Sequence, residues 1–141
     1  MVRAVIYTDF DGVLNAFPDD KVLRRGGVGH KQWVEGGGPR KELYDSERAF
    51  PLTGNEQVRT GHGRFRVHWS RELAGMMHDL ALSGSVELNW LTTWQPYCSR
   101  VLDPMLGWDP GIERTVVWYD PVTNERRWTG KLAEIMSRVR F

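Results

Sequence analysis

Three short runs of β-branched and aromatic residues constrain this chain most: residues 3–8, 86–92 and 114–119, each stopped by polar or turn-forming residues. Such runs read as buried strands. The segments between them read as helices. Ser70 caps one in which Leu73, Met76, Met77 and Leu80 share a face, and Gly84 closes it. Residues 94–106 form another, with Pro96 in its first turn and Gly107 at its stop. After the third strand, Leu132, Ile135, Met136 and Val139 fall at i, i+3, i+4 and i+7, the apolar face of a final helix. Strands that alternate with helices require right-handed crossovers and a parallel sheet. The expected fold is therefore α/β, with its site at the carboxyl ends of the strands.

Residues 17–67 break the alternation. They hold ten Lys or Arg, seven Asp or Glu, and the glycine clusters Gly26-Gly27, Gly36-Gly37-Gly38 and Gly61-His62-Gly63. A structureless loop of that size does not suit a compact domain, so the segment is expected to be a cap or flap within a single domain spanning 1–141. Phe65 to Trp69 alternates apolar and polar residues and reads as one strand of a hairpin, with Ala49-Phe50-Pro51-Leu52 near its partner. Between residues 21 and 41, six basic groups face the single acid Glu35, a local balance of +5. Two readings stand: a solvated loop, or a lid whose Arg24, Arg25 and Arg40 meet an anionic substrate. Arginine makes up 15 of the 19 basic residues, and its planar fork suits phosphate, although a coding bias accounts for it equally well.

Composition excludes several classes. The net charge of +1 argues against a broad nucleic-acid footprint and leaves only local contact. No apolar run approaches the roughly 18 residues of a membrane helix. The N-terminus runs straight into the first strand without a signal peptide's apolar stretch, which points to a cytoplasmic protein without membrane partners. Cys98 is the one cysteine, so an internal disulfide and a thiolate metal cage are both excluded. His30, His62, His68 and His78 lack zinc spacing, and Trp33, Trp69, Trp94 and Trp128 suit core packing better than base stacking.

Chemistry concentrates at Asp9-Phe10-Asp11-Gly12-Val13-Leu14-Asn15. Two carboxylates two residues apart, where a strand gives way to a loop, can face one crevice. One can attack phosphorus as an ionised nucleophile while the other moves a proton. Gly12 permits the sharp turn that brings backbone close to a phosphate. Thr92, at the end of the second strand, would place a hydroxyl and an N–H beside the first; helix capping is its equally good alternative, and Thr93 competes for both roles. Lys131, near the start of the last helix, would offset the carboxylates and the charge of a phosphoryl group.

Together these residues resemble the haloacid dehalogenase (HAD) superfamily of phosphotransferases. The first motif is Asp9-x-Asp11-Gly12-Val13-Leu14-Asn15, the second Leu91-Thr92-Thr93-Trp94, and the third Gly130-Lys131-Leu132. The Leu-Thr-Thr-Trp stretch also resembles small HAD proteins grouped with RNA-repair enzymes. The resemblance implies that Asp9 is phosphorylated and that Asp11 is acid and base. It further implies that Mg²⁺ is held by Asp9 and by the carbonyl oxygen of Asp11, with Thr92 and Lys131 completing the catalytic set. Gly12, Asn15, Thr93, Arg24, Arg25 and Arg40 would meet phosphate or substrate. The implied fold is a Rossmann-like HAD core cut down to a three-stranded parallel sheet, with the cap inserted after strand one.

The chain departs from that pattern at its end. The family's fourth motif, an acidic pair on a further strand, has no counterpart in the ten residues after Lys131. Asp120, Asp45 and Glu47 are the remaining acids considered, Asp120 being poorly placed on strand three. Loss of that motif would weaken the Mg²⁺ site without abolishing it. It would also leave strand one at a sheet edge, where a second copy or another protein would pair with it. Two functions follow: a Mg²⁺-dependent phosphomonoester phosphatase acting on a phosphorylated small molecule or nucleic-acid end, or a catalytically impaired binding or regulatory protein that has lost the second half of the core.

Overall fold

The computed structural model describes residues 3–16, 50–120, 122–123 and 130–138. In chain order the strands are β1 (Ala4–Thr8), β2 (Gly54–Thr60), β3 (Gly63–Trp69), β4 (Val86–Trp90) and β5 (Glu113–Thr115). The helices are α1 (Arg71–Leu82), α2 (Asp103–Leu106) and α3 (Gly130–Arg138). The chain divides into two compact units, residues 1–10 with 78–141, and residues 11–77. Of the segment expected as a cap, residues 50–67 are described and fall within the second, and residues 17–49 lie outside the described residues.

In the first unit, β1, β4 and β5 form a parallel sheet in the order β1-β4-β5. Ala4 to Thr8 pair with Val86 to Trp90, and Leu88 to Trp90 pair with Glu113 to Thr115. The expected three-stranded parallel sheet is present. Among the described residues β1 has no strand on its outer side, and Val5 is exposed there. The third strand is shorter than its sequence run. Its ladder with β4 ends at the Trp90–Thr115 pair, followed by one bond from the Val116 N–H to the Trp90 carbonyl (2.8 Å); residues 116–118 are not strand and Tyr119 makes a bridge. Aromatic packing fills the core: Phe10 meets Trp90 and Trp94 edge-on at 5.9 and 5.2 Å, and Trp90 stacks on Trp108 at 5.0 Å.

The segment expected as one helix over 94–106 is three pieces: a 3₁₀ turn at Gln95–Tyr97, a π-helical turn at Cys98–Leu102, and α2. Pro96 and Pro104 explain the breaks, since neither offers an N–H to the preceding turn. The Asp103 N–H accordingly reaches back five residues to the Cys98 carbonyl.

α1 is capped as expected, the Leu73 N–H donating to Ser70 Oγ at 3.1 Å, and the chain turns at Gly84. Its inward face matches the expected one only in part, with Leu73 and Met77 half-buried. Ala74 and Ala81 are buried and Met77 and His78 half-buried, whereas Met76 and Leu80 are 48% and 43% exposed. Small alanines line the inward side, so the large methionine and leucine are turned outward. α3 is displaced in the same way. Lys131, Glu134 and Ile135 point inward at i, i+3 and i+4, leaving Leu132 and Met136 71% and 51% exposed. Val139 lies outside the described residues.

In the second unit β2 and β3 form an antiparallel hairpin, Gly54 opposite Trp69 and Thr60 opposite Gly63, turning at Gly61-His62. Residues 65–69 pair with 54–58, which begin two residues after the segment expected near that partner; Phe50 to Leu52 form no strand and Ala49 lies outside the described residues. Gly54 is required at its position, because a Cβ there would run into the Trp69 ring. Ala16 bridges to His68, its N–H donating to the His68 carbonyl at 2.8 Å. No helix among the described residues is long and apolar enough to cross a membrane.

Candidate active site

β1 delivers Asp9 at its carboxyl end. The Thr8 hydroxyl donates to the Asp9 carbonyl (2.8 Å), and Asp9 Oδ1 accepts the Phe10 N–H (2.7 Å). The other carboxylate oxygen, Oδ2, lies 2.5 Å from Lys131 Nζ in the first turn of α3. Both side chains are about one-third exposed, 36% and 30%. Phe10, fully buried among tryptophans, anchors the chain just after Asp9 while the carboxylate stays open to solvent.

The second motif leaves β4 on the strand next to β1. The Leu91 N–H donates to the Thr8 carbonyl at 2.8 Å, so the Thr92 turn starts beside the end of β1. Thr92 is fully buried, and its Oγ1 accepts the Trp94 N–H at 3.1 Å. The hydroxyl thus bonds within its own turn; the N-cap of the 3₁₀ turn at Gln95–Tyr97 is Trp94, which has no side-chain capping bond, so Thr92 is not the helix cap that was one of its two readings. Thr93 is exposed, with its carbonyl receiving the Tyr119 hydroxyl at 2.5 Å. Gln95 binds the returning chain from both ends of its amide: Nε2 donates to the Tyr119 carbonyl and Oε1 accepts the Trp118 N–H, each at 3.0 Å.

Asp11 and the rest of the first motif belong to the second unit. Gly12 has a φ of +77°, the left-handed turn expected of it, and its N–H donates to the Asn15 carbonyl at 2.9 Å. Asn15 is buried. Its Nδ2 donates to Asp11 Oδ1 (2.9 Å) and its Oδ1 accepts the His68 N–H (3.3 Å), so it orients the second carboxylate and ties the motif to β3. Arg24, Arg25 and Arg40, like Asp45 and Glu47, lie outside the described residues.

Asp120 folds back on its own turn, its Oδ1 accepting the Val122 and Thr123 N–H groups at 2.8 and 3.3 Å. Those bonds hold its carboxyl below the usual aspartate range. Among the described residues no group of three or more His, Cys, Asp and Glu side chains is gathered for a metal. Mg²⁺ nonetheless needs only one or two carboxylates when waters and phosphate oxygens fill its octahedron, and the part-exposed carboxylate of Asp9 has that hard-oxygen chemistry.

Two further groups went unread in the sequence. Asp103 accepts the Trp90 indole N–H (2.9 Å) and shares a hydrogen bond with Glu113, which also accepts the Thr115 hydroxyl (3.2 Å). Burial first, and then Asp103, push the Glu113 carboxyl up to about 8, so this pair keeps a proton at neutral pH. Burial likewise pushes the Cys98 thiol up to about 12, which leaves it without a thiolate's reactivity. His68 is buried too, its pKa lowered by burial and then by Arg66. Trp69 and Trp94 are core residues, and Trp33 and Trp128 lie outside the described residues. Trp118, whose ring lies 5.2 Å from Lys131 Nζ, had no signal beyond its place in the third strand run. No family model, curated protein or solved structure matches the chain.

Proposed function

We propose that the protein is a Mg²⁺-dependent phosphomonoester phosphatase or phosphotransferase that works through an aspartyl-phosphate on Asp9, within a HAD-like core. One observation carries the reading: the ammonium of Lys131 meets the carboxylate of Asp9 at 2.5 Å across 122 positions of sequence, at the carboxyl end of a parallel strand. A carboxylate so placed is held by the Phe10 N–H and the Lys131 ammonium while staying about one-third exposed. Asp9 attacks phosphorus, a P–O bond to Asp9 forms, and the ester P–O bond breaks. Asp11 gives its proton to the leaving oxygen. Water then attacks the acyl phosphate, losing a proton to Asp11, and releases phosphate with Asp9 restored. Chain connectivity keeps the Cα of Asp11 within about 7 Å of that of Asp9, which suits this division of labour.

Lys131 offsets charge on Asp9 and on the phosphoryl oxygens throughout. Asp9 and the Asp11 carbonyl are the groups that would hold Mg²⁺, which when bound neutralises phosphate charge. Phosphorylated small molecules and nucleic-acid ends are the substrate classes in view. Among the described residues no strand pairs with the outer edge of β1, which supports association with a second copy or a partner that completes the sheet. Release of inorganic phosphate from a panel of phosphomonoesters, with and without Mg²⁺, tests the activity. A second reading is a catalytically impaired binding or regulatory protein that has lost the second half of the core, a reading favoured by the Thr92 hydroxyl, which is buried and already accepts the Trp94 N–H. Tight phosphate binding without hydrolysis would establish it.

A further inference from the structure

The two parts of the site that do not come from β1, the Thr92 turn and Lys131, meet at one buried residue. Trp118 donates its indole N–H to the Thr92 carbonyl at 3.0 Å, and its ring centroid lies 5.2 Å from Lys131 Nζ. Its own backbone N–H is held by Gln95 Oε1 at 3.0 Å, and the neighbouring Tyr119 hydroxyl reaches the Thr93 carbonyl. Consecutive aromatic residues thus bond consecutive carbonyls of the second motif. Trp118 also packs with Leu91 and Val116, against Ile135 one turn along α3 from Lys131.

We propose that Trp118 is a positioning residue for the phosphoryl-transfer site, holding the Lys131 ammonium against Asp9 with its ring face and the Thr92 turn in place with its indole N–H. The proposal rests on the reading of Asp9, Thr92 and Lys131 as that site. A lysine side chain has four rotatable bonds, and a carboxylate one-third exposed to water holds it in no single orientation. The negative face of an indole attracts an ammonium from a second direction and excludes water from that side. Ring and carboxylate together give Nζ one place to sit. The indole N–H acts separately, on the turn rather than on the lysine.

The separation makes the test sharp. Trp118→Phe keeps a ring face and loses the N–H; Trp118→Leu loses both. NMR of the Lys131 side chain, assigned with Lys131→Met, reads the ammonium without reference to activity. In the wild type its Cε protons are shifted upfield by the indole and its Nζ is ordered. Trp118→Phe retains both in part while the Thr93 and Gln95 amides shift. Trp118→Leu loses ring shift and order together. In Mg²⁺-dependent hydrolysis of p-nitrophenyl phosphate, Trp118→Leu lowers kcat about tenfold or more with little change in KM, a misplaced group acting on the reaction step. If Trp118→Leu does not fold, 5-fluorotryptophan replaces all indoles, weakening the ring's hold on the ammonium with little change of shape, and Lys131 order falls. Lys131 order unchanged by fluorination, or unchanged in folded Trp118→Leu, overturns the proposal. A wild-type protein that shows the NMR signature but releases no phosphate keeps the positioning and removes the reaction.

Discussion

Lys131 Nζ and Asp9 Oδ2 lie 2.5 Å apart, joining the first turn of α3 to the carboxyl end of β1. Ion pairs this exposed add about 1 kcal/mol or less to stability. The contact therefore contributes little to the stability of the fold. Lys131→Ala is expected to leave the melting temperature within a few degrees of wild type and to lower turnover by about two orders of magnitude, the scale of losing one oriented electrostatic group. Steady-state kinetics beside thermal denaturation checks both halves.

The Asp103–Glu113 pair makes stability depend on pH. In the folded protein the Glu113 carboxyl titrates near 8, against an ordinary 4.5, so between those values the fold holds a proton that the unfolded chain has released. Stability contributed by the neutral form is full below about 4.5, declines as pH rises through the window, and is lost above 8. Glu113→Gln imitates the protonated side chain. Its melting temperature is expected to vary less than that of the wild type across that window. Equal slopes for the two proteins would remove Glu113 as the cause.

Gly54 faces the Trp69 ring directly across the hairpin, with no room for a Cβ. Gly54→Ala should lower stability by about 1–3 kcal/mol, as overpacked sites do. Chemical denaturation gives the value. An unchanged midpoint would mean that Trp69 moves aside freely.

How much of this was legible in the sequence depends on the kind of force involved. The positions of β1 and β4, the start of β5, most of β3, the Ser70 cap and the turn at Gly84 follow from local propensity and hydrogen bonding, and the sequence pattern places them; β2 and the early end of β5 it does not. The faces of α1 and α3 follow only in part. Met76, Leu80, Leu132 and Met136 obey helical spacing but are exposed, because Ala74 and Ala81 on one helix and Lys131 and Ile135 on the other take the inward side. Periodicity finds a stripe without choosing among rival stripes when small or charged residues hold the tertiary contact. At the site, Asp9, Gly12 and Lys131 were readable as motif residues. Trp118 and Gln95 were not, since the bonds that join residues 92 and 95 to residues 118 and 119 arise only once β5 lies beside β4. The Asp103–Glu113 hydrogen bond is of the same long-range kind.

The central claim, that Asp9 is a nucleophile poised for phosphorus, is tested most directly by comparing the wild type with Asp9→Asn for Mg²⁺-dependent release of inorganic phosphate from a panel of small and nucleotide phosphomonoesters. Beryllofluoride binding is measured alongside as a mimic of the acyl phosphate. The expected result is turnover and Mg²⁺-dependent beryllofluoride binding in the wild type, with both lost in a folded Asp9→Asn protein. Phosphate release at the wild-type rate by Asp9→Asn would contradict it.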